Sequence, residues 1–161
     1  VLNSAPFVFV ADHAMIDDRL WQELGLTRDD IGIVLVDHGS RRDESNGLLV
    51  EVARALSRHV GVANTEPAHM EVAEPSVHTA FQRAVSKGAR FVIVVPYFLG
   101  PGRHWKHDIP RLAAEAAAEQ PGIRFVVTEP IGLHPLMCDI LDDRIQNRLR
   151  EEVPHPASGP G

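Results

Sequence analysis

From Ile31 onward the chain alternates short apolar runs with longer segments of helical period. Ile31-Gly32-Ile33-Val34-Leu35-Val36 is apolar almost throughout, which is the pattern of a strand covered on both faces of a parallel sheet. Leu48, Leu49, Val52, Ala55 and Leu56 then recur at three- and four-residue spacing before Gly61, so a helix is predicted. The cycle repeats. A second strand is predicted over 67–72, followed by a helix with Val77, Ala80, Phe81, Ala84 and Val85 on one face, Pro75 suiting its first turn and Gly88 ending it. Phe91-Val92-Ile93-Val94-Val95 is the clearest strand. A long loop and an Ala-rich helix over 108–120 follow, closed by Pro121-Gly122. A fourth strand over 123–128 leads to a helix over 135–150 with Leu136, Met137, Ile140, Leu141 and Ile145 on one face.

Strands alternating with helices specify an α/β domain, a three-layer parallel sheet with flanking helices and right-handed crossovers. With the first strand central, the second and third flank it. Ligands of such sheets bind beyond the carboxyl ends of the strands, so chemistry is expected in the residues that follow each strand. Outside this pattern lie two segments. Residues 1–30 form an N-terminal extension with an apolar run at 7–10 and many acids, read as a strand and a short helix leaning on the domain. The chain begins at Val1, which suggests a trimmed start, but the acid-rich stretch does not match a transit peptide. Residues 153–161 are rich in Pro, Gly and Ser and are expected to be a disordered tail. An echo between residues 8–13 and 34–38 is too short to carry an internal repeat.

Composition narrows the classes. The 161 residues are 44% hydrophobic, enough for one domain with a real core. No apolar run is long enough to span a bilayer. Sixteen Lys and Arg against 22 Asp and Glu give a net charge of −6, which argues against a nucleic-acid binder with a broad basic surface. The single Cys138 excludes an intrachain disulfide and suits a reducing compartment. Lying within the apolar pattern of the last helix, it reads as a buried small hydrophobe. Nine His stand out, and their placement decides what the chain does.

After the first strand comes Asp37-His38-Gly39-Ser40-Arg41-Arg42, after the second Glu71 and Glu74, and after the third the loop running to Arg103-His104-Trp105-Lys106-His107. His38, Glu71 and His104 therefore come from three adjacent strands. Two imidazoles and a carboxylate suit a first-row divalent ion such as Fe²⁺, Co²⁺ or Zn²⁺, and they equally suit proton removal near neutral pH. Ordinary readings compete. His38 fits a turn residue, Glu71 a surface carboxylate, His107 a solvated loop residue, and Gly39-Ser40 a phosphate cradle at a helix start. Arg41, Arg42, Arg103 and Lys106 gather positive charge on the same rim. His13, His59, His69, His78, His134 and His155 are taken as structural or surface residues.

Three stretches in order, Val36-Asp37-His38-Gly39-Ser40-Arg41-Arg42, 67–76 (PAHMEVAEPS) and 101–110 (PGRHWKHDIP), resemble the small class II chelatases that load metal into sirohydrochlorin. The second and third stretches are most similar to the short plastid and cyanobacterial-type sirohydrochlorin ferrochelatases, with the cobaltochelatases as close relatives. The likeness covers about residues 31–150 and implies a flavodoxin-like chelatase lobe over 31–152. It implies that His38 and His104 are the catalytic, metal-contacting imidazoles and that Glu71 is the carboxylate assisting them. Many bacterial members have Gly at the position of Asp37. The plastid forms also resemble proteins with a Cys-bound iron–sulfur cluster, but the tail here has no Cys. No cluster and no tightly bound cofactor are therefore expected.

Insertion needs an ion stripped of water, a bent macrocycle and removal of two pyrrole protons. Sirohydrochlorin carries many carboxylates, and Arg41, Arg42, Arg103 and Lys106, with Ser40, are the expected substrate contacts. One lobe of this length gives only one wall of a macrocycle-sized cleft, so a homodimer is expected. The expected partners are sirohydrochlorin and a divalent metal, without nucleic acid or membrane. A cytoplasmic location is expected, or the plastid stroma if a leader has been removed. The alternatives are a metal-binding or metal-delivery protein using the same His/Glu set, and a nucleotide or phosphate binder using the His38–Arg42 loop.

Overall fold

A computed structural model describes residues 16–100 and 104–152. Among them, β1 (Ile31–Asp37), β2 (Thr65–His69), β3 (Phe91–Pro96) and β4 (Arg124–Val127) form one parallel sheet in the order β2-β1-β3-β4. The helices are α1 (Asp18–Glu23), α2 (Asp43–Val60), α3 (Val77–Ser86), α4 (Ile109–Ala118) and α5 (Pro135–Glu152). The expected three-layer α/β architecture is present, with β1 between β2 and β3. None of these helices is long and apolar enough to cross a membrane. The strand expected at 7–10 and the tail at 153–161 lie outside the described residues.

Each face of the sheet has its own core. Val34, Val36, Ala68, Val92 and Val94 point toward α3 and α4, where Phe81 and Ile109 are fully buried. Ile31, Ile33 and Leu35 point the other way, toward α2 and the Trp21 side chain of α1. Apolar residues on both parities explain the unbroken run in β1, six of whose seven residues are buried. Covering does not extend to the β4 edge. Val126, which pairs with Ile93 on the α1/α2 side of the sheet, is 44% exposed there.

Three expectations need correcting. The second strand runs Thr65–His69 instead of 67–72, because the chain turns off at Glu71–Ala73, where Val72 adopts a left-handed φ of 70°. The segment then folds back so that the Pro75 carbonyl accepts the His69 N–H at 2.8 Å, which caps the outer edge of β2. The helix expected over 108–120 is α4, Ile109–Ala118, and it is preceded by a π-helical turn at His104–Asp108 where a loop was expected. The last helix forms as expected, but none of its residues is buried, so Cys138 is exposed and is not a core residue.

Gly32 marks the tightest contact under the sheet, since a Cβ built there stands 2.9 Å from the Cβ atoms of both Ala84 and Ala89. The end of α3 sits directly on the β1 backbone. Gly32→Ala is expected to cost about 1–3 kcal/mol of stability by overpacking. An unchanged denaturation midpoint would show that α3 yields at no cost.

Candidate active site

Hydrogen bonding between the strands continues past their ends and fixes where the loops begin. Met70 N–H donates to the Asp37 carbonyl at 2.8 Å, Glu71 N–H to the His38 carbonyl at 3.2 Å, and Tyr97 N–H to the Val36 carbonyl at 2.7 Å. The residues following β1, β2 and β3 are thereby tied together at the carboxyl edge, as expected for an open parallel sheet. His38 follows the parity of Val34 and Val36, which places it at the rim of the α3/α4 face. Its ring is exposed and meets Phe98 edge-on, with centroids 4.6 Å apart at 89°. Phe98 is itself buried in that core, so the imidazole rests on an anchored aromatic floor.

The loop after His38 is built from small polar contacts. Gly39 has φ 82°, and its N–H donates to Asp37 Oδ1 at 2.8 Å. Ser40 is clamped by Asn46, whose side chain accepts from Ser40 N–H and donates to the Ser40 carbonyl, both at 2.9 Å. The Ser40 hydroxyl accepts from Arg42 N–H at 3.1 Å, so its first role is to shape the turn. Arg41 and Arg42 are exposed, and neither forms an ion pair among the described residues. Asp43 and Glu44 occupy the first turn of α2. Acids there already complement the helix dipole, and the Gly39 and Ser40 amides are engaged by Asp37 and Asn46, which disfavours a phosphate cradle at this helix start.

The third contributor is the π-helical turn, whose backbone begins at His104. Arg103 and the His104 side chain lie outside the described residues; Lys106 and His107 are exposed. His38 and Glu71 are thus joined through the main chain, while His104 is placed only by its position after β3. Among the described residues, no three His, Cys, Asp or Glu side chains are grouped closely enough to hold a metal.

Two contributors escaped the sequence reading. His69, taken as a structural or surface residue, is 2% exposed, and its Nδ1–H donates to Asp37 Oδ1 at 2.6 Å. Asp37 and His69 are register partners of β1 and β2, so their side chains share a face; only the strand register reveals this. Asn46 holds the loop that follows His38.

These features define a single parallel α/β lobe whose strand ends gather imidazole, carboxylate and guanidinium groups on one edge. The family profile described as CbiX matches residues 32–148, and the chain belongs to that family. It is 52% identical over 118 residues to the chloroplastic sirohydrochlorin ferrochelatase of Arabidopsis thaliana, covering 73% of this chain and 52% of that protein. It is 32% identical over 122 residues to the sirohydrochlorin cobaltochelatase of Sulfolobus acidocaldarius, covering 76% of this chain and 95% of that protein. Among solved structures, the sirohydrochlorin chelatase SirB from Bacillus subtilis subspecies spizizenii in complex with cobalt superposes with a TM-score of 0.69 at 31% identity, covering 73% of this chain and 50% of SirB. The chain thus spans about half the length of the plant and Bacillus proteins and nearly all of the archaeal one.

A Cβ at Gly39 would stand 2.1 Å from the Glu71 carbonyl oxygen. Gly39→Ala is therefore expected to push the His38 and Glu71 loops apart and to cost upwards of about 1–3 kcal/mol, since the positive φ adds strain. The amide resonances of His38, Ser40 and Glu71 should move while those of β4 stay. Unmoved resonances with an unchanged melting temperature would contradict the close approach.

Proposed function

We propose that this chain inserts a divalent metal into sirohydrochlorin, Fe²⁺ giving sirohaem or Co²⁺ giving cobalt-sirohydrochlorin. The observation that carries the reading is the main-chain link between Glu71 and His38, which sets a carboxylate-bearing loop against an exposed imidazole on one open edge. The plant and archaeal relatives, a sirohydrochlorin ferrochelatase and a sirohydrochlorin cobaltochelatase, support it.

Insertion consumes the free ion and the macrocycle and releases two protons. A neutral imidazole accepts protons near neutral pH and also ligates such ions, so His38 and His104 receive both tasks: contact with the incoming metal and uptake of a pyrrole proton. Glu71 assists by passing protons on or balancing charge. An unclosed ligand set is what transfer requires, because the ion must leave for the macrocycle. Arg41, Arg42, Arg103 and Lys106 hold the substrate carboxylates, with Arg favoured for bidentate pairing. Ser40 stands at the head of that loop. The working compartment is a reducing one, cytoplasm or plastid stroma.

The decisive assay incubates the chain anaerobically with sirohydrochlorin and Fe²⁺ or Co²⁺ and follows the macrocycle's absorption. His38→Ala and His104→Ala are each expected to slow insertion by about 10²-fold or more. A parent rate no faster than the enzyme-free control rejects the activity, and if the chain still binds the ion it favours metal delivery instead. Full activity in both variants rejects the site.

The lobe works as a homodimer in this reading, and α5 is the proposed contact. Leu136, Ile140, Leu141, Ile145 and Leu149 are 41–60% exposed along it, and Val126 lies open on the sheet face. Each large side chain gains about 1.5–3 kcal/mol on full burial, so a surface of this composition favours a cover. A second copy is the natural occupant, because SirB is about twice the matched length while the Sulfolobus protein is almost wholly matched. Sedimentation should give a dimer at micromolar concentration, and Leu141→Asp with Ile145→Asp should give a monomer. A monomeric parent would overturn the assignment.

A further inference from the structure

The insertion chemistry proposed above makes no use of the most deeply buried polar group at this edge. His69, 2% exposed, donates from Nδ1 to Asp37 Oδ1 at 2.6 Å. The same oxygen accepts the Gly39 N–H at 2.8 Å. One carboxylate oxygen thus joins β2 to the residue immediately after His38. The other side of the junction is equally constrained. The His69 N–H is held by the Pro75 carbonyl, and Met70 N–H by the Asp37 carbonyl, each at 2.8 Å, so the loop carrying Glu71 is pinned at its base by the same two residues. Gly39 completes the wedge, because its Cβ position lies 3.0 Å from His69 Cβ as well as against the Glu71 carbonyl.

We propose that Asp37 and His69 are positioning residues for metal insertion: the buried imidazole orients the Asp37 carboxylate, which fixes the Gly39 amide and so holds His38 in a set relation to Glu71. This assignment rests on the chelatase reading for its consequence, but its geometry stands without it. His69 is too buried to meet a macrocycle, so its action is transmitted through Asp37. The reason for such a device is physical. His38 is exposed on a loop, supported on one side by the Phe98 ring, and side chains on loops keep a reactive geometry only when a second layer of hydrogen bonds fixes them. The arrangement parallels the outer-layer carboxylates that orient metal-binding imidazoles, except that here the carboxylate acts through the main chain.

The test compares Asp37→Ala, Asp37→Asn and His69→Phe with the parent chain. Asn keeps an oxygen acceptor for both N–H groups, whereas Ala keeps none. Two readouts are taken from each folded variant: the His38 ring resonances by NMR, and anaerobic insertion rates as kcat and KM. Asp37→Ala and His69→Phe are expected to shift the His38 resonances and to lower kcat by about 10- to 100-fold, with KM for sirohydrochlorin unchanged within about twofold, since the substrate contacts proposed for Arg41 and Arg42 are untouched. Asp37→Asn is expected to restore both readouts to within about threefold of the parent, which a role depending on negative charge would not allow. Unshifted resonances in Asp37→Ala, or a failure of Asn to rescue, overturns the positioning role. Shifted resonances that Asn restores, in a chain whose parent shows no insertion, would uphold positioning while removing the chelatase reading.

Discussion

Everything at the carboxyl edge of the sheet depends on the parallel pairing of β1 with both of its neighbours. The register sets Asp37 opposite His69 and Val36 opposite Pro96, and all three strands end on the same side. Parallel strands need long crossovers, so none of the loops at this edge is a tight hairpin, and each is free to carry chemistry. The strand that carries His38 is also the one buried on both faces. The loop that carries His38 therefore springs from a root buried on both faces.

The close approach at Gly39 turns that general arrangement into a particular one. A side chain there would occupy the space of the Glu71 carbonyl, so the two loops sit as near as backbones can. In exchange, the Met70 and Glu71 amides after β2 are satisfied by the Asp37 and His38 carbonyls at the end of β1, as backbone polar groups leaving a sheet require. The glycine in the His38-Gly39-Ser40 stretch is thus explained by packing. A phosphate-cradling glycine would need a free amide, and the Gly39 N–H is engaged by Asp37 instead.

The fold was legible in the sequence because its signals are local. The unbroken apolarity of Ile31–Val36 demanded two covered faces, and Val77, Ala80, Phe81 and Ala84 marked a helical stripe that buries in full. The site was legible as a set of residues after strands, but not as a set of contacts. His69 looked like any strand histidine, since nothing within 67–72 shows that its neighbour across the ladder is Asp37. The end of β2 was misplaced for a related reason: Val72 is a good strand former by type, and the turn at that point puts it in a left-handed conformation instead. Cys138 was misjudged because helical periodicity tells which face is apolar and not whether anything lies against it. A sequence pattern records what a face needs, and only the assembled chain shows whether the need is met within one copy.

The net charge of −6 has a similar limit as a guide to partners. Fields from exposed charges fade over about 8–10 Å at ordinary salt, so an anionic ligand approaching the strand ends responds to the groups nearest it. Several arginines elsewhere are ion-paired, among them Arg28 to Asp18, Arg90 to Asp30, Arg111 to Glu115 and Arg148 to Glu151. Those pairs cancel their own charge locally. Arg41 and Arg42 form no such pair among the described residues, and Ser40 and Asn46 hold the backbone that presents them. Guanidinium groups on a fixed turn lose less freedom when they engage carboxylates than groups on a loose loop. An acidic net charge is therefore compatible with the polycarboxylate contacts proposed for this edge.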